Sequence, residues 1–132
     1  MPNLSRLQEP VYAALRVVAG AMFSCHGMQK ILGLLGAHPA TPMTQIWVGG
    51  VIELVCGALI AVGLFTRLAA FLASGTMAVA YFQFHFKGHW AGYNFLLIIN
   101  HGELAVLYCF TFLLIACRGP GLLSVDRARG RA

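Results

Sequence analysis

Four stretches of the chain, each about twenty residues long and nearly free of charge, constrain its fold more than any other feature. A helix rising about 1.5 Å per residue needs about twenty residues to cross the roughly 30 Å of hydrocarbon in a bilayer. The stretches run from about Val11 to Leu35, Gln45 to Phe65, Leu68 to Phe86 and Tyr93 to Cys117. Inside lipid the backbone finds no water to bond, so such stretches close their hydrogen bonds within themselves as helices. The sequence predicts one all-α domain over residues 1–132, a transmembrane four-helix bundle. With 59% hydrophobic and only 10% charged residues, the chain has too little charge to cover a water-soluble surface.

The punctuation between the stretches fits this reading. Gly36-Ala-His-Pro-Ala-Thr-Pro42 ends the first with a glycine and two prolines. Thr66-Arg67 has room only for a tight turn, which makes the second and third helices antiparallel neighbours. Lys87-Gly88-His89-Trp90-Ala91-Gly92 is a polar loop carrying aromatic residues suited to a membrane interface. Gly119-Pro120-Gly121 stops the fourth helix and leaves residues 118–132 as a basic tail. An early Arg6 before an apolar run is the pattern of a cleaved signal, but Arg16, His26 and Lys30 interrupt it and no A-x-A site follows. The first helix is therefore expected to be retained. Gly20 and Ser24, then Gly49, Gly50 and Gly57, then Ala69, Ala73 and Gly75 are spaced to let helices approach closely.

Basic residues set the orientation. Arg6, Arg67, Arg118, Arg127, Arg129 and Arg131 fall at one end of the predicted bundle, and Lys87, with Lys30 near a helix end, at the other. The positive-inside rule places both termini and the Arg67 turn in the cytoplasm. The expected location is a bacterial cytoplasmic (inner) membrane, crossed several times, with the lipid bilayer as the first partner. The terminal arginines read as a docking or lipid contact, not as a nucleic-acid face. Cys25, Cys56, Cys109 and Cys117 lie in apolar stretches without a C-x-x-C pair, so each is expected to be a small buried hydrophobe.

Depth organises the polar residues. Counted at 1.5 Å per residue, His26 and Lys30 lie about 8 to 14 Å below the external end of the first helix, and Glu53 about 12 Å below that of the second. Asn100, His101 and Glu103 fall at a similar level on the fourth, and His85 slightly higher on the third. A charge in hydrocarbon costs several kcal/mol. Lys30, Glu53 and Glu103 should therefore point inward and pair or line a wet cavity, unless an acid stays protonated. Lys30 has two candidate partners, Glu53 and Glu103. His26 and Lys30 share a face, Gly50, Glu53 and Gly57 another, and Met77, Tyr81 and His85 form a stripe on the third helix. His101 sits nearly opposite Glu103, so the two do not enter one pocket together. Arg16 lies about 21 Å from Lys30, near the cytoplasmic end, where it either snorkels or caps helix carbonyls. Plainer roles stand beside these: a structural ion pair holding helix register, and interfacial histidines at His85, His89 and His101. His26 and His101 lack any recognised metal-ligand spacing, and no metal site is expected.

In order and spacing, Arg16 with Gly20, His26-Gly-Met-Gln-Lys30, Gly50-Val-Ile-Glu53 with Gly57, Gly63-Leu-Phe-Thr-Arg67 and Gly119-Pro-Gly-Leu-Leu-Ser-Val-Asp126 resemble the DoxX family of small bacterial membrane proteins. The resemblance covers nearly the whole chain and implies a four-helix membrane protein. It matches Arg16, His26, Lys30, Glu53 and Arg67 to recurring polar positions, and Glu103 more loosely. The family is named after a subunit associated with thiosulfate:quinone oxidoreductase, and some members are linked to quinone or catechol stress. It implies a quinone-linked membrane oxidoreductase component. No haem, flavin or iron–sulfur signature is present, so no built-in cofactor is expected and quinone enters as substrate or ligand. On this reading Glu53, Glu103 and His26 exchange protons, while Lys30, Asn100, Tyr81, His85 and His101 hold the ligand. Two alternatives remain open. One is a non-catalytic assembly subunit docking a soluble redox enzyme. The other is a small-solute transporter, which four short helices allow only as a homo-oligomer.

Overall fold

The computed structural model describes residues 4–88, 90 and 92–131, so His89 and Ala91 of the predicted interfacial loop lie outside the described residues. All regular structure among the described residues is helical. A 3-10 turn, Leu4–Leu7, leads into α1, Gln8–Leu32, and α2 follows as Gln45–Val62. Next come α3, Thr66–Ala80, and a π-helical turn, Tyr81–Phe86, that continues it. The short α4, Leu97–Asn100, precedes α5, Glu103–Arg118, and α6, Val125–Ala128.

Several boundaries differ from the sequence expectation, each for a local reason. α1 stops at Leu32 because Gly33, at φ +62°, takes the left-handed cap and returns its N–H to the Gln29 carbonyl. The glycine that ends the helix is thus Gly33, not Gly36. α2 stops at Val62, where Gly63 adopts φ +72°. A Cβ at Gly63 would lie 2.4 Å from Ser124 Cβ and 2.6 Å from the Arg16 guanidinium, so both backbone conformation and packing require glycine there. The expected single helix over residues 93–117 is broken. Asn100 Oδ1 accepts the Gly102 N–H at 2.8 Å, and His101 takes φ +56°. The side chain competes with the helical ladder and divides the segment into α4 and α5.

α1 runs antiparallel along α2, and the crossing depends on bare backbone. A Cβ at Gly27 would meet the Leu54 N at 2.3 Å, one at Gly20 the Ala61 N at 2.5 Å, and one at Gly57 the Ser24 N at 2.5 Å. At this approach Ser24 Oγ donates to the Leu54 carbonyl at 3.0 Å. Gly27→Ala is expected to push the helices apart and cost about 1–3 kcal/mol, read as a lowered unfolding midpoint in detergent. An unchanged midpoint would contradict the packing. α3 packs against α2 and α5 around a core of Ile60, Ala69, Ala73, Phe112 and Ile115. The Phe23 ring lies 4.7 Å from Phe112 and 5.5 Å from Tyr108, tying α1 to α5.

Outside this core the surface is apolar. Val11, Val18, Leu68, Phe71, Leu107 and Phe110 are each exposed by more than half. Leu4–Leu32 and Gln45–Val62 are long and apolar enough to cross a membrane. Cys56 is buried and Cys109 half-buried, but Cys25 and Cys117 sit on the exposed exterior, contrary to the expectation that all four are buried.

The predicted basic tail is also corrected. Gly119, Pro120, Ser124 and Asp126 are buried, and residues 119–126 fold back as a latch. The Gly119 carbonyl accepts the Tyr12 hydroxyl at 2.6 Å, and the Asp126 N–H donates to the Gly63 carbonyl at 2.8 Å. The Asp126 carboxylate caps α3, accepting the Phe65 N–H at 3.0 Å and the Thr66 N–H and hydroxyl at 2.8 Å each. Arg67 donates to the Ala116 and Cys117 carbonyls at the end of α5, where the helix dipole favours a cation. The last arginines, Arg127, Arg129 and Arg131, remain exposed, as does Arg118 at the end of α5.

Burial pushes the Asp126 carboxyl upward, but the bonds from Thr66 and Phe65 and the field of Arg131 outweigh it and hold the group below its ordinary value. A depressed folded value stabilises the native state fully above the unfolded value of about 3.9, and the contribution is lost as pH falls through the folded value. The difference in unfolding midpoint between native protein and Asp126→Asn should be constant from about pH 5 to 8 and shrink below about pH 4. A difference independent of pH would contradict the capping role.

Candidate ligand cavity

The side-chain geometry around Glu53 follows from the glycines beside it. Gly50 and Gly57 lie one turn before and after Glu53 on the face that meets α1, so α1 descends onto the backbone of α2. A Cβ at Gly50 would stand 2.7 Å from Lys30 Cβ, which shows how closely the lysine stem lies over that residue. Its Nζ then reaches Glu53 Oε1 at 2.6 Å. Glu53 is 3% exposed, while the Lys30 side chain keeps 37% of its surface open. Of the two acids open at the sequence level, Glu53 is the partner of Lys30.

The pair lies on the wall of an open cavity of about 820 Å³ between α1, α2, α3 and the α4–α5 junction. His26, Gln45, Thr76, His85, His101 and Tyr108 complete its polar lining. Phe23, Ile52, Phe71, Leu72, Met77 and Leu104 supply apolar wall. His85 Nδ1 lies 3.0 Å from the Asn100 carbonyl, which only accepts, so this nitrogen carries the proton and donates. In the neutral ring Nε2 is left as an acceptor. His101 reaches the cavity from the left-handed break between α4 and α5. The π turn that carries His85 is likewise a departure from the α ladder, of a kind frequent beside functional sites.

The other expected site residues lie elsewhere. Glu103 is exposed in the first turn of α5 and is not part of the cavity wall. Tyr81 stacks on Phe86 at 6.2 Å and takes an Asn100 Nδ2 bond at 3.4 Å. Asn100 also bonds the Asn94 carbonyl and caps the break at Gly102, so both residues serve the loop architecture instead of the cavity. Two residues read as packing contacts, Gly49 and Gly75, instead line the cavity, and a Cβ at either would meet nothing within 4 Å. Tyr108 escaped the sequence reading. The signal was there: a tyrosine amid an apolar helix must find a partner for its hydroxyl or leave it unsatisfied. Among the described residues no group of three or more His, Cys, Asp or Glu is gathered to hold a metal.

The family model DoxX matches residues 11–86, and an "Uncharacterized protein" of Haemophilus influenzae is 41% identical over 130 residues, 96% of each chain. The chain belongs to the DoxX family. No solved structure matches it. The DoxX match includes His26, Lys30, Glu53 and His85, whereas His101 and Tyr108 on the opposite wall lie beyond its end. The family assignment thus reaches α1 to the π turn, and the far side of the cavity rests on the fold of this chain.

Proposed function

We propose that this DoxX protein crosses the bacterial cytoplasmic membrane four times, as α1, α2, α3 with its π turn, and the α4–α5 segment, with both ends inside. Within that bundle the cavity binds a quinone or similar ring-bearing amphiphile as part of a membrane redox system. The observation that carries this reading is the Lys30–Glu53 pair, a charged couple among glycines that opens onto a mainly apolar cavity. Its volume suits a small organic ligand, and predominantly apolar walls with a few convergent polar groups are the usual makeup of such sites. Lys30 donates to a ligand oxygen, and Glu53 or His26 exchanges the proton that accompanies a change of oxidation state. Electrons pass between the ligand and a partner that carries its own redox centre, for which the exposed Arg127, Arg129 and Arg131 offer a docking surface.

The test is direct binding. Full-length protein in lipid nanodiscs should bind a decyl-substituted benzoquinone, with Lys30→Ala, which removes the donor to a ligand oxygen, weakening binding about tenfold or more. A native protein that neither retains nor binds any ring-bearing amphiphile removes the proposal.

A further inference from the structure

Two buried polar atoms belong to residues on the cavity wall and have no hydrogen-bond partner among the described residues: Glu53 Oε2 and the Tyr108 hydroxyl. Glu53 is 3% and Tyr108 6% exposed, so neither reaches bulk solvent. The Tyr108 ring is fixed in place. It stacks on Phe112 at 5.4 Å with planes 11° apart, and the His26 ring meets it edge-on at 6.2 Å. A buried unsatisfied polar group is costly, so a ligand that answers both atoms gains more than one that answers either alone.

The two atoms ask for different things. A tyrosine hydroxyl donates and accepts, whereas a carboxylate oxygen only accepts. Lys30 Nζ already occupies Glu53 Oε1 and leaves its other donors toward the cavity, so donors for a ligand oxygen are plentiful there. The unmet demand is for a donor on the ligand. A cationic donor is disfavoured by the Lys30 ammonium beside it, which leaves a neutral O–H or N–H, and on the quinone-type ring ligand proposed above that donor is a hydroxyl. Flat walls at Phe23, Phe71 and Tyr108 favour an aromatic body behind that hydroxyl.

We infer that the cavity selects the reduced, hydroxyl-bearing form of its ring ligand, a hydroquinone or related phenol, over the corresponding quinone, with Glu53 Oε2 as the discriminating acceptor. The inference rests on the ring-binding function proposed above. Lys30 and Tyr108 serve either oxidation state, since both donate to a carbonyl as readily as to a hydroxyl. Only Glu53 Oε2 distinguishes them, because a quinone presents acceptors alone and would face it with a repulsive lone pair.

Three probes of one carbon skeleton test this: tetramethylhydroquinone, tetramethylbenzoquinone and the dimethyl ether of the hydroquinone. Each is titrated under argon against full-length protein in nanodiscs. The hydroquinone should bind at least about tenfold more tightly than the quinone, as expected for a hydrogen bond to a charged acceptor. The dimethyl ether, which keeps the ring and loses the donor, should bind no better than the quinone. Glu53→Gln supplies an amide donor and should reduce the preference to about threefold or less, while Tyr108→Phe should weaken both forms and leave their ratio within about twofold. Equal affinities of the native protein for hydroquinone and quinone, or a dimethyl ether that matches the hydroquinone, overturn the inference and leave the ring site standing. Absence of binding by all three removes the site and the inference together. The native comparison needs no variant, so it decides the question even where a substitution prevents folding.

Discussion

Arg16→Met should be the most destabilising single substitution in the chain, lowering stability by about 3–5 kcal/mol, the range seen when one side of a buried charged network is removed. Arg16 is fully buried, and its guanidinium is a junction. One terminal nitrogen donates to the Ile60 and Ala61 carbonyls at 2.7 and 2.9 Å, and the other to Leu122 and Leu123 at 3.2 and 2.7 Å. The first two acceptors are carbonyls at the C-terminal end of α2, where they carry the negative end of its dipole, and Ile60 also takes the Gly63 N–H at 3.1 Å. The second two belong to the latch. Methionine fills similar space but removes all four of these bonds and loosens the latch against the end of α2. Lysine keeps the charge, but one ammonium has no planar fork to serve two sets of carbonyls, so Arg16→Lys should recover only part of the loss. Unfolding midpoints in detergent give the ranking. Limited trypsin digestion adds a local readout, since a freed latch exposes the backbone at Arg127 and Arg129 to cleavage. A variant with native midpoint and native cleavage rate would show that the junction contributes little.

That junction also marks where sequence reasoning reached its limit. Apolar length identified the helical regions, because the requirement is periodic and local. Arg16 as a cap on helix carbonyls was one of two open readings, and depth alone placed it near the cytoplasmic end without naming the helix it caps. The latch was invisible, because Asp126 looks like one polar residue in a basic terminal stretch until Thr66 and Phe65 are brought to it from 60 residues away. The break at Asn100-His-Gly102 was legible in principle, as a side-chain acceptor two residues before a glycine, but the apolar run around it reads as continuous helix. Once the helix breaks, its phase no longer predicts which residues share a face. That is why His101 lines the cavity while Glu103 and Asn100 do not. Tyr108 was missed for the opposite reason: it lies on a regular helix, and only the packing of α1 against α5 shows its hydroxyl to be unpartnered.

The Lys30–Glu53 pair should give an asymmetric double-mutant cycle that separates structure from binding. Lys30→Met retains the apolar stem over Gly50 but leaves the 3%-exposed Glu53 without its cation. An uncompensated buried carboxylate costs about 3 kcal/mol. Glu53→Leu should cost less, since the Lys30 side chain is 37% exposed and its ammonium can turn toward the open cavity. The double variant, Lys30→Met with Glu53→Leu, replaces a charged pair by apolar side chains of similar size and should return to near-native stability, as buried pairs often do. Its cavity keeps its apolar walls and loses both the lysine donor and the carboxylate acceptor. Ring-bearing probes should therefore fail to bind a protein that is otherwise well folded. Stability is followed by unfolding midpoint and binding by titration in the same nanodiscs. If the double variant binds the probes with native affinity, the ion pair only holds α1 and α2 in register and the ligand is recognised elsewhere on the wall. If it stays unstable, the pair contributes more than its desolvation cost, and its charges have been retained for the fold itself.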